Sequence, residues 1–219
     1  MKTNADLVTL AKKALAENWG YCLGEFGRVL TESLYTYNTG RQDAAGAYNR
    51  ANAAYLKQFV GKRVSDCYGL VKACCWTDLA GVVAYNGNGC ADRNQEAAYN
   101  AAKEKGALST IPEIPGLVLW MPGHAGVYIG GGEFIECAGA PVGVRKGKIQ
   151  NGAVTSGSKF THWFKDTYIQ YSFSDALTFD AACDRLEKAG IMNPAAYWQA
   201  RRGIDPYFEG LVVNMAGRV

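Results

Sequence analysis

The stretch from Val64 to Trp76, VSDCYGLVKACCW, places three cysteines close together in the chain. Thiolates serve as nucleophiles, metal ligands and disulfide partners, so the spacing must decide among these uses. Cys67, Cys74 and Cys75 form no C-x-x-C pair, and with only two histidines in the chain a zinc site is disfavoured. A disulfide between Cys74 and Cys75 would be strained, because neighbouring side chains of a helix point apart.

Cys67 differs from the other two cysteines because it follows Asp66, a residue type that caps the start of a helix. A free thiol titrates near ~8.5, and the unpaired N–H groups of a helix start favour its thiolate form. Cys74 and Cys75 lie deeper in the same predicted helix, where this effect has faded, and are predicted to pack in the core. Cys67 is therefore the candidate nucleophile, while a purely structural role for it stays open.

A thiol nucleophile needs a base that takes its proton, and only His124 and His162 are available. His124 begins a predicted strand in GHAGVYIGGGEFIECAG, whereas His162 is flanked by aromatic residues and is interpreted as a surface or interface residue. The glycines at 130–132 predict a hairpin. An odd-length loop would place Glu136 on the face of His124, where it could orient the imidazole. An even-length loop would bring the neighbours of Glu136 there instead and leave it an ordinary strand residue.

Helices and a small sheet are predicted to position these residues. Apolar spacing and capping residues predict helices near 6–18 and 44–58, from 67 onward and near 95–105. Strands are predicted from about Gly116, through the hairpin, and again within 161–173. After Phe173, three pairs of cap and stop residues predict three short helices. This order indicates an α+β domain over residues 1–173 and an α-helical module over 174–219.

Composition places the chain among globular proteins and limits its partners. Its 219 residues are 48% hydrophobic and 20% charged, which is enough for a buried core without staples. The net charge of +3 suits an anionic surface such as a bacterial cell wall. No long basic run predicts nucleic-acid binding, and the cluster Arg145–Lys148 is interpreted as a solvated turn. The odd number of cysteines indicates a reducing compartment, and no apolar segment predicts a signal peptide or a membrane span.

The two motifs together resemble a known family. SDCYGLVKACCW followed by GHAGVYIGGGEFIECAG is similar to the NlpC-type family of papain-like bacterial cell-wall peptidases. In that family an Asp-Cys-Ser/Tyr-Gly-Leu helix start precedes a strand that begins with Gly-His, and WGYCLGEFG resembles its Tyr-x-x-Gly loop. The resemblance covers about residues 5–173. It implies a papain-like fold in which N-terminal helices pack on a small antiparallel sheet.

The resemblance also implies roles for individual residues. Cys67 matches the nucleophile, His124 the general base and Glu136 the residue that orients the imidazole. The third position is more often His, Asn or Gln in the family, so Glu136 departs from the family pattern. Positions that contact the substrate in the family correspond to Tyr21, Ser65 and Asp66. A packed ring for Tyr21 and a helix cap for Asp66 remain as structural alternatives.

By resemblance, the protein is expected to hydrolyse an amide bond of peptidoglycan stem peptides, typically after D-γ-glutamyl, without a metal or an organic cofactor. Cys67 would attack the carbonyl, and protonated His124 would then protonate the leaving amine. A lytic domain followed by a short helical module, with no signal segment, resembles a phage or prophage endolysin. That resemblance implies a cytoplasmic protein before release, action on the bacterial cell wall, and a monomer by default.

Other activities fit the same residues. The related CHAP type supports amidase or acyl-transfer chemistry on a similar sheet. A chain of this fold could also be an inactive wall-binding module, or an interaction protein or toxin that acts on a host protein amide. Four aromatic residues of the C-terminal module are interpreted as core residues, with wall binding as the alternative: Tyr197, Trp198, Tyr207 and Phe208.

Overall fold

The computed structural model describes residues 1–78, 81–171, 179–188, 190–191, 199 and 212. Within these residues the chain is mixed α+β, with seven α-helices and a curled antiparallel sheet, which confirms the predicted α+β class. The chain divides into two compact units, residues 1–171 and residues 172–219. The papain-like description of the first unit stays a prediction.

Polar side chains cap several helices of the first unit. Thr3 and Asp6 form a capping box at the first helix, and Asn94 accepts a hydrogen bond from the backbone of the sixth. The helix predicted over 44–58 is divided at Asn52, where the backbone leaves the helical range. The helices are α1 Asn4–Ala16, α2 Glu32–Gly40, α3 Ala44–Ala51, α4 Ala53–Lys57, α5 Gly69–Trp76, α6 Gln95–Ala101 and, in the second unit, α7 Phe179–Lys188.

Twelve strands among the described residues form three sheets. Seven of them make an antiparallel sheet in the order β10-β9-β8-β7-β6-β11-β5. Two small sheets, β2-β4-β3 and β1-β12, contain parallel pairs that the sequence did not predict. The strands are β1 Lys2–Thr3, β2 Gly20–Tyr21, β3 Phe26–Val29, β4 Arg63–Ser65, β5 Lys105–Ala107, β6 Val118–Met121, β7 His124–Gly130, β8 Glu133–Cys137, β9 Val144–Gln150, β10 Ala153–Ser156, β11 His162–Phe164 and β12 Ile169–Gln170.

The large sheet buries both of its faces, and the two faces carry different parts of the structure. Ala125, Val127 and Ile135 belong to a core that includes residues of α1 and α5. Tyr128 and Phe134 belong to a second core on the opposite face, because side chains alternate along a strand. Each fully buried large apolar side chain contributes about 1.5–3 kcal/mol, so the strands at the centre of the sheet are firmly placed.

The curl of the sheet brings its two edges towards each other. A Cβ atom built on Gly152, in the turn between β9 and β10, would lie 2.6 Å from the Cα atom of Ser109, which follows β5. Only a residue without a side chain fits at this contact. A cavity of about 400 Å³ lies between the edges, lined by segments 107–109, 152–154 and 159–161.

In the second unit the structure describes mainly α7 and the residues that end it. Gly190 has a φ of 70°, and the N–H of Ile191 donates to the carbonyl of Leu186 at 2.9 Å, which ends the helix at the predicted glycine stop. Of the other two helices predicted for 174–219, only Gln199 and Val212 are among the described residues, and the four aromatic residues lie outside them. None of the described helices combines the length and the apolar character needed to cross a membrane.

Candidate active site

Cys67 lies in a tight turn between β4 and α5, held by the side chain of Asp66. The Asp66 carboxylate accepts hydrogen bonds from the N–H of Gly69 at 2.6 Å and from the N–H of Gly24 at 3.0 Å. α5 begins at Gly69, so Cys67 precedes the helix by two residues and does not lie within its first turn. A Cβ atom at Gly69 would lie 2.1 Å from the carbonyl oxygen of Glu25, so glycine is required where the helix starts.

The Cys67 thiol is almost buried, with 7% of the residue exposed. Burial raises its pKa to about 12, and the neighbouring Asp66 carboxylate acts in the same direction. The backbone N–H groups of Ala125 and Tyr68 oppose this effect by favouring the thiolate. The thiol is therefore neutral at rest near pH 7, and the helix start alone does not ionise it. Activation requires a base that accepts its proton.

The strands β7 and β8 have the register that brings Glu136 to His124. Val127 pairs with Ile135, so Gly126 lies opposite Glu136, and His124 is diagonal to Glu136 on the same face. A hydrogen bond of 2.6 Å joins His124 Nε2 to Glu136 Oε2. Glu136 thus lies on the face of His124, as the odd-length alternative predicts, but the loop itself has two residues, 131–132, and a bulge at Ile129 supplies the odd residue.

Glu136 is a fully buried carboxylate with three hydrogen-bond partners. Besides the bond to His124, its Oε1 atom accepts from Arg145 Nε and from the N–H of Ser158, each at 2.9 Å. Burial alone would raise the pKa of Glu136, but the hydrogen bonds from His124, Ser158 and Arg145 outweigh it and lower the pKa to about 2. Glu136 is therefore ionised throughout the neutral range and accepts hydrogen bonds without donating any.

An aromatic ring fixes the plane of the imidazole. The rings of His124 and Phe160 are stacked, with centroids 5.4 Å apart and an angle of 6° between their planes. Phe160 reaches this position because the strand residue beneath it is glycine. A Cβ atom at Gly126 would lie 2.8 Å from Phe160 Cζ and would displace the ring.

The start of β7 connects the thiol and the imidazole. The Ala125 N–H that favours the Cys67 thiolate belongs to the residue that follows His124. Because Glu136 engages Nε2, the other ring nitrogen, Nδ1, is the candidate proton acceptor. Among the residues that the structure describes, no hydrogen bond joins the Cys67 thiol to the His124 ring. The Cys67 thiol and the His124 ring therefore both lie at the start of β7, but no hydrogen bond joins them.

The three residues predicted to contact substrate lie beside Cys67, with different exposure. Tyr21 is 9% exposed and packs edge-to-face on Tyr48, with ring centroids 5.5 Å apart. Burial is the main cause that raises the pKa of Tyr21, and the negative charges that the nearby Cys67 and Asp66 groups carry when ionised act in the same direction. Asp66 is also 9% exposed, but Ser65 has no exposed surface and its hydroxyl donates to the Asp66 carbonyl at 2.9 Å. In this structure Ser65 supports the turn, and substrate contact by Tyr21, Ser65 and Asp66 stays a prediction.

The interpretation of Arg145–Lys148 as a solvated turn is wrong, because these residues belong to β9. Arg145 pairs with Glu136 across the β8–β9 ladder. A pair of opposite charges in neighbouring strands could have indicated the contact between Arg145 and Glu136. This signal can be used only when the register of the β8–β9 hairpin is known. Ser158 and Phe160 carry no sequence signal, since one acts through its backbone N–H and the other through ring stacking.

The other candidate chemistries find little support among the described residues. His162 lies on β11, where its ring contacts those of Tyr99 and Trp120. All seven cysteines are free and buried, so the Cys74–Cys75 disulfide is not formed. In the part of the chain that the structure describes, no group of three or more His, Cys, Asp or Glu side chains is arranged to hold a metal ion.

Comparisons of the chain with protein-family models, with curated proteins and with solved structures find no match. The functional assignment therefore depends on the residues of the chain itself, and the family resemblance of its two motifs stays a prediction.

Proposed function

We propose that the protein is a cysteine peptidase that hydrolyses an amide bond in peptidoglycan stem peptides, after a D-γ-glutamyl residue, and so lyses the cell wall. The observation that supports this proposal most is the hydrogen bond between His124 and Glu136 at the start of β7. The next N–H along this strand, that of Ala125, favours the Cys67 thiolate. A thiol, an imidazole and an orienting carboxylate are the groups that acyl transfer through a thioester requires.

The reaction begins with transfer of the Cys67 proton to His124 Nδ1. The thiolate then attacks the amide carbonyl carbon, a C–S bond forms, and backbone N–H groups of the turn hold the oxyanion. When the tetrahedral intermediate collapses, the C–N bond breaks and the imidazolium gives its proton to the leaving amine. Water, deprotonated by His124, then cleaves the thioester and restores the thiol. Glu136 keeps the imidazole ring oriented and stabilises its charged form throughout.

Substitution of the nucleophile tests the proposal directly. Cys67→Ala is expected to reduce the release of soluble fragments from purified peptidoglycan by at least ~10³-fold, because the covalent route is removed. Cys74→Ala, which removes a buried thiol from α5, is the matched control and should retain the activity. Lysis by Cys67→Ala at the wild-type rate would exclude Cys67 as the nucleophile.

Mass spectrometry of the released fragments identifies the bond. Cleavage after D-γ-glutamyl would support the peptidase assignment, whereas separation of the stem from the sugar would indicate the amidase alternative. Stem peptides joined to an added amine would indicate acyl transfer. If folded wild-type protein neither cleaves nor modifies peptidoglycan, the proposed function is wrong.

The pH dependence of Cys67 alkylation provides a second test, which needs no substrate. Since burial raises the pKa of this thiol to about 12, its rate of reaction with iodoacetamide should keep rising with pH beyond pH 9. The same chain in urea should level off near pH 9, as free cysteine does. Peptide mapping separates Cys67 from the other thiols. A plateau near pH 7 in the folded protein would instead show a preformed thiolate–imidazolium pair.

A further inference from the structure

The two oxygens of Glu136 have unequal surroundings. Oε1 accepts from Arg145 Nε and from the Ser158 N–H, each at 2.9 Å, whereas Oε2 faces His124 Nε2 at 2.6 Å. No part of the Glu136 side chain is exposed, so water does not solvate its charge. Its ionisation therefore depends on these donors, and Arg145 is the only permanently charged one among them.

The charge of Glu136 determines which ring nitrogen of His124 carries hydrogen. An ionised carboxylate only accepts, so Nε2 must be the N–H and Nδ1 keeps its lone pair. A protonated carboxyl group can donate to Nε2, in which case the hydrogen moves to Nδ1. A neutral imidazole with hydrogen on Nδ1 cannot take a proton from a thiol at that nitrogen. Only the Nε2–H tautomer can therefore act as a base at Nδ1.

We propose that Arg145 is a positioning residue that acts through Glu136 to hold His124 in the Nε2–H tautomer, with Nδ1 free to accept a proton. The catalytic consequence rests on the proposed function, whereas the effect on the tautomer does not. Arg145 suits this task because it makes a second contact, from its guanidinium to Ser158 Oγ at 3.3 Å. These two contacts hold the guanidinium between β8 and the segment 158–160 that packs over Glu136 and His124, while 39% of the Arg145 side chain stays exposed.

The other charged groups nearby do not replace Arg145. Lys146, its neighbour on β9, pairs with Glu133 at 3.0 Å on the other face of the sheet. Lys159, in the covering segment, donates to the carbonyl of Val154 at 3.1 Å. From the face opposite Glu136, Cys137 contributes a buried thiol whose pKa is raised by burial and which is neutral. Removal of Arg145 therefore leaves Glu136 with His124 and with the side chain and backbone N–H of Ser158.

The tautomer can be measured directly by ¹⁵N NMR of the histidine side chains between pH 5 and pH 8. Wild-type protein is expected to show His124 with hydrogen on Nε2. In Arg145→Met the signals should shift towards the Nδ1–H form, while Arg145→Lys, which keeps the charge, should restore most of the wild-type pattern. Lys146→Met removes one charge from the same strand and should leave His124 unchanged. His162, two strands away from His124 on β11, is an internal reference within each spectrum.

The pH profile of peptidoglycan hydrolysis gives the catalytic reading. In Arg145→Met the acid limb of kcat/KM should move up by about one pH unit, because one positive charge is removed from beside the Glu136–His124 pair and the pair then takes up a proton more readily. Arg145→Lys should show a smaller shift in the same direction. An unchanged tautomer in both Arg145 variants, or an equal change in Lys146→Met, would overturn the proposal. A shifted tautomer in protein without any hydrolytic activity would refute the proposed function and leave the positioning role intact.

Discussion

At the scale of single residues, Glu136 is both ionised and fully buried, two properties that usually exclude each other. It carries a negative charge without exposed surface, and a buried charge is stable only where hydrogen bonds and opposite charges replace water. His124, Arg145 and Ser158 provide that replacement from three separate segments. The same contacts that stabilise the carboxylate also orient the imidazole, so stability and the candidate chemistry are coupled at this residue.

Glu136→Gln should lower the free energy of unfolding by about 3 kcal/mol at pH 7, because the folded protein loses a buried carboxylate that His124, Ser158 and Arg145 hold in its ionised form. The pKa of Glu136 is lowered from 4.5 to about 2 in the folded protein. Its contribution is therefore complete above pH 4.5 and is lost as the pH falls towards 2. Urea unfolding should show the two stability curves converging in this window.

Glu133→Gln is the matched control for this prediction. Glu133 is also on β8 and pairs with Lys146, but its side chain is 35% exposed. Its replacement should change the free energy of unfolding by less than ~1 kcal/mol, because exposed ion pairs contribute little. A gap between wild type and Glu136→Gln that stays constant down to pH 2.5 would contradict the assignment of the effect to ionisation.

The candidate residues were predictable to the extent that their signals are local. The immediate neighbours of Cys67 and His124 mark them as candidates, and the two-residue period of a strand indicates Glu136. Arg145 was misread, because its partner lies nine positions earlier and the hairpin register is invisible in the sequence. Backbone donors such as that of Ser158 carry no residue-type signal at all.

At the scale of elements, α5 and β7 place the two candidate reactive groups. α5 is buried except at Lys72 and holds the Cys67 turn against the sheet. β7 is buried on both faces through residues 125–128, which fixes the ring of His124 at its exposed end. Packed elements on either side leave these side chains little freedom, so in the proposed reaction most of the alignment entropy would already have been lost during folding.

Cys74→Ala and Cys75→Ala test whether α5 uses these thiols for packing alone. Each side chain is 3% exposed, and each substitution should lower the free energy of unfolding by about 1–2 kcal/mol by leaving a small cavity. Turnover of peptidoglycan per folded molecule should remain unchanged. Loss of turnover at an unchanged melting temperature would show that one of these thiols takes part in the chemistry.

Helices and hairpins were predictable because their signals are close in sequence. Capping residues, glycine turns and period-two alternation lie within a few positions of the structure they specify. The parallel pairs β2–β4 and β1–β12 join segments far apart in the chain, and no local pattern indicates them. The division at Asn52 was also missed, since asparagine within an alanine-rich helix is a weak signal of an end.

At the scale of the whole molecule, the seven buried thiols make alkaline pH a structural stress. Burial raises the pKa of every one of them in the folded protein. Above about pH 9 the unfolded chain therefore binds fewer protons than the folded chain, and stability falls as the pH rises. Each thiol contributes up to about 1.4 kcal/mol per pH unit to this slope.

Urea unfolding under a reductant at pH 8, 9, 10 and 10.5 should show this decline. Cys74→Ala should flatten the slope by about one thiol's share, whereas a substitution at an exposed tyrosine such as Tyr37 should leave it unchanged. A midpoint that stays constant up to pH 10.5 would contradict the burial of the thiols.

The parallel pairing of β1 with β12 has a consequence for synthesis. Lys2 pairs with Ile169 and Thr3 with Gln170, so the first residues of the unit are held by its last ones. A chain that emerges from the ribosome in order cannot form this ladder until residue 170 is outside the exit tunnel. Because α1 follows Thr3 directly and packs on the large sheet, the amino-terminal segment can complete its docking only after residues 169 and 170 have been made.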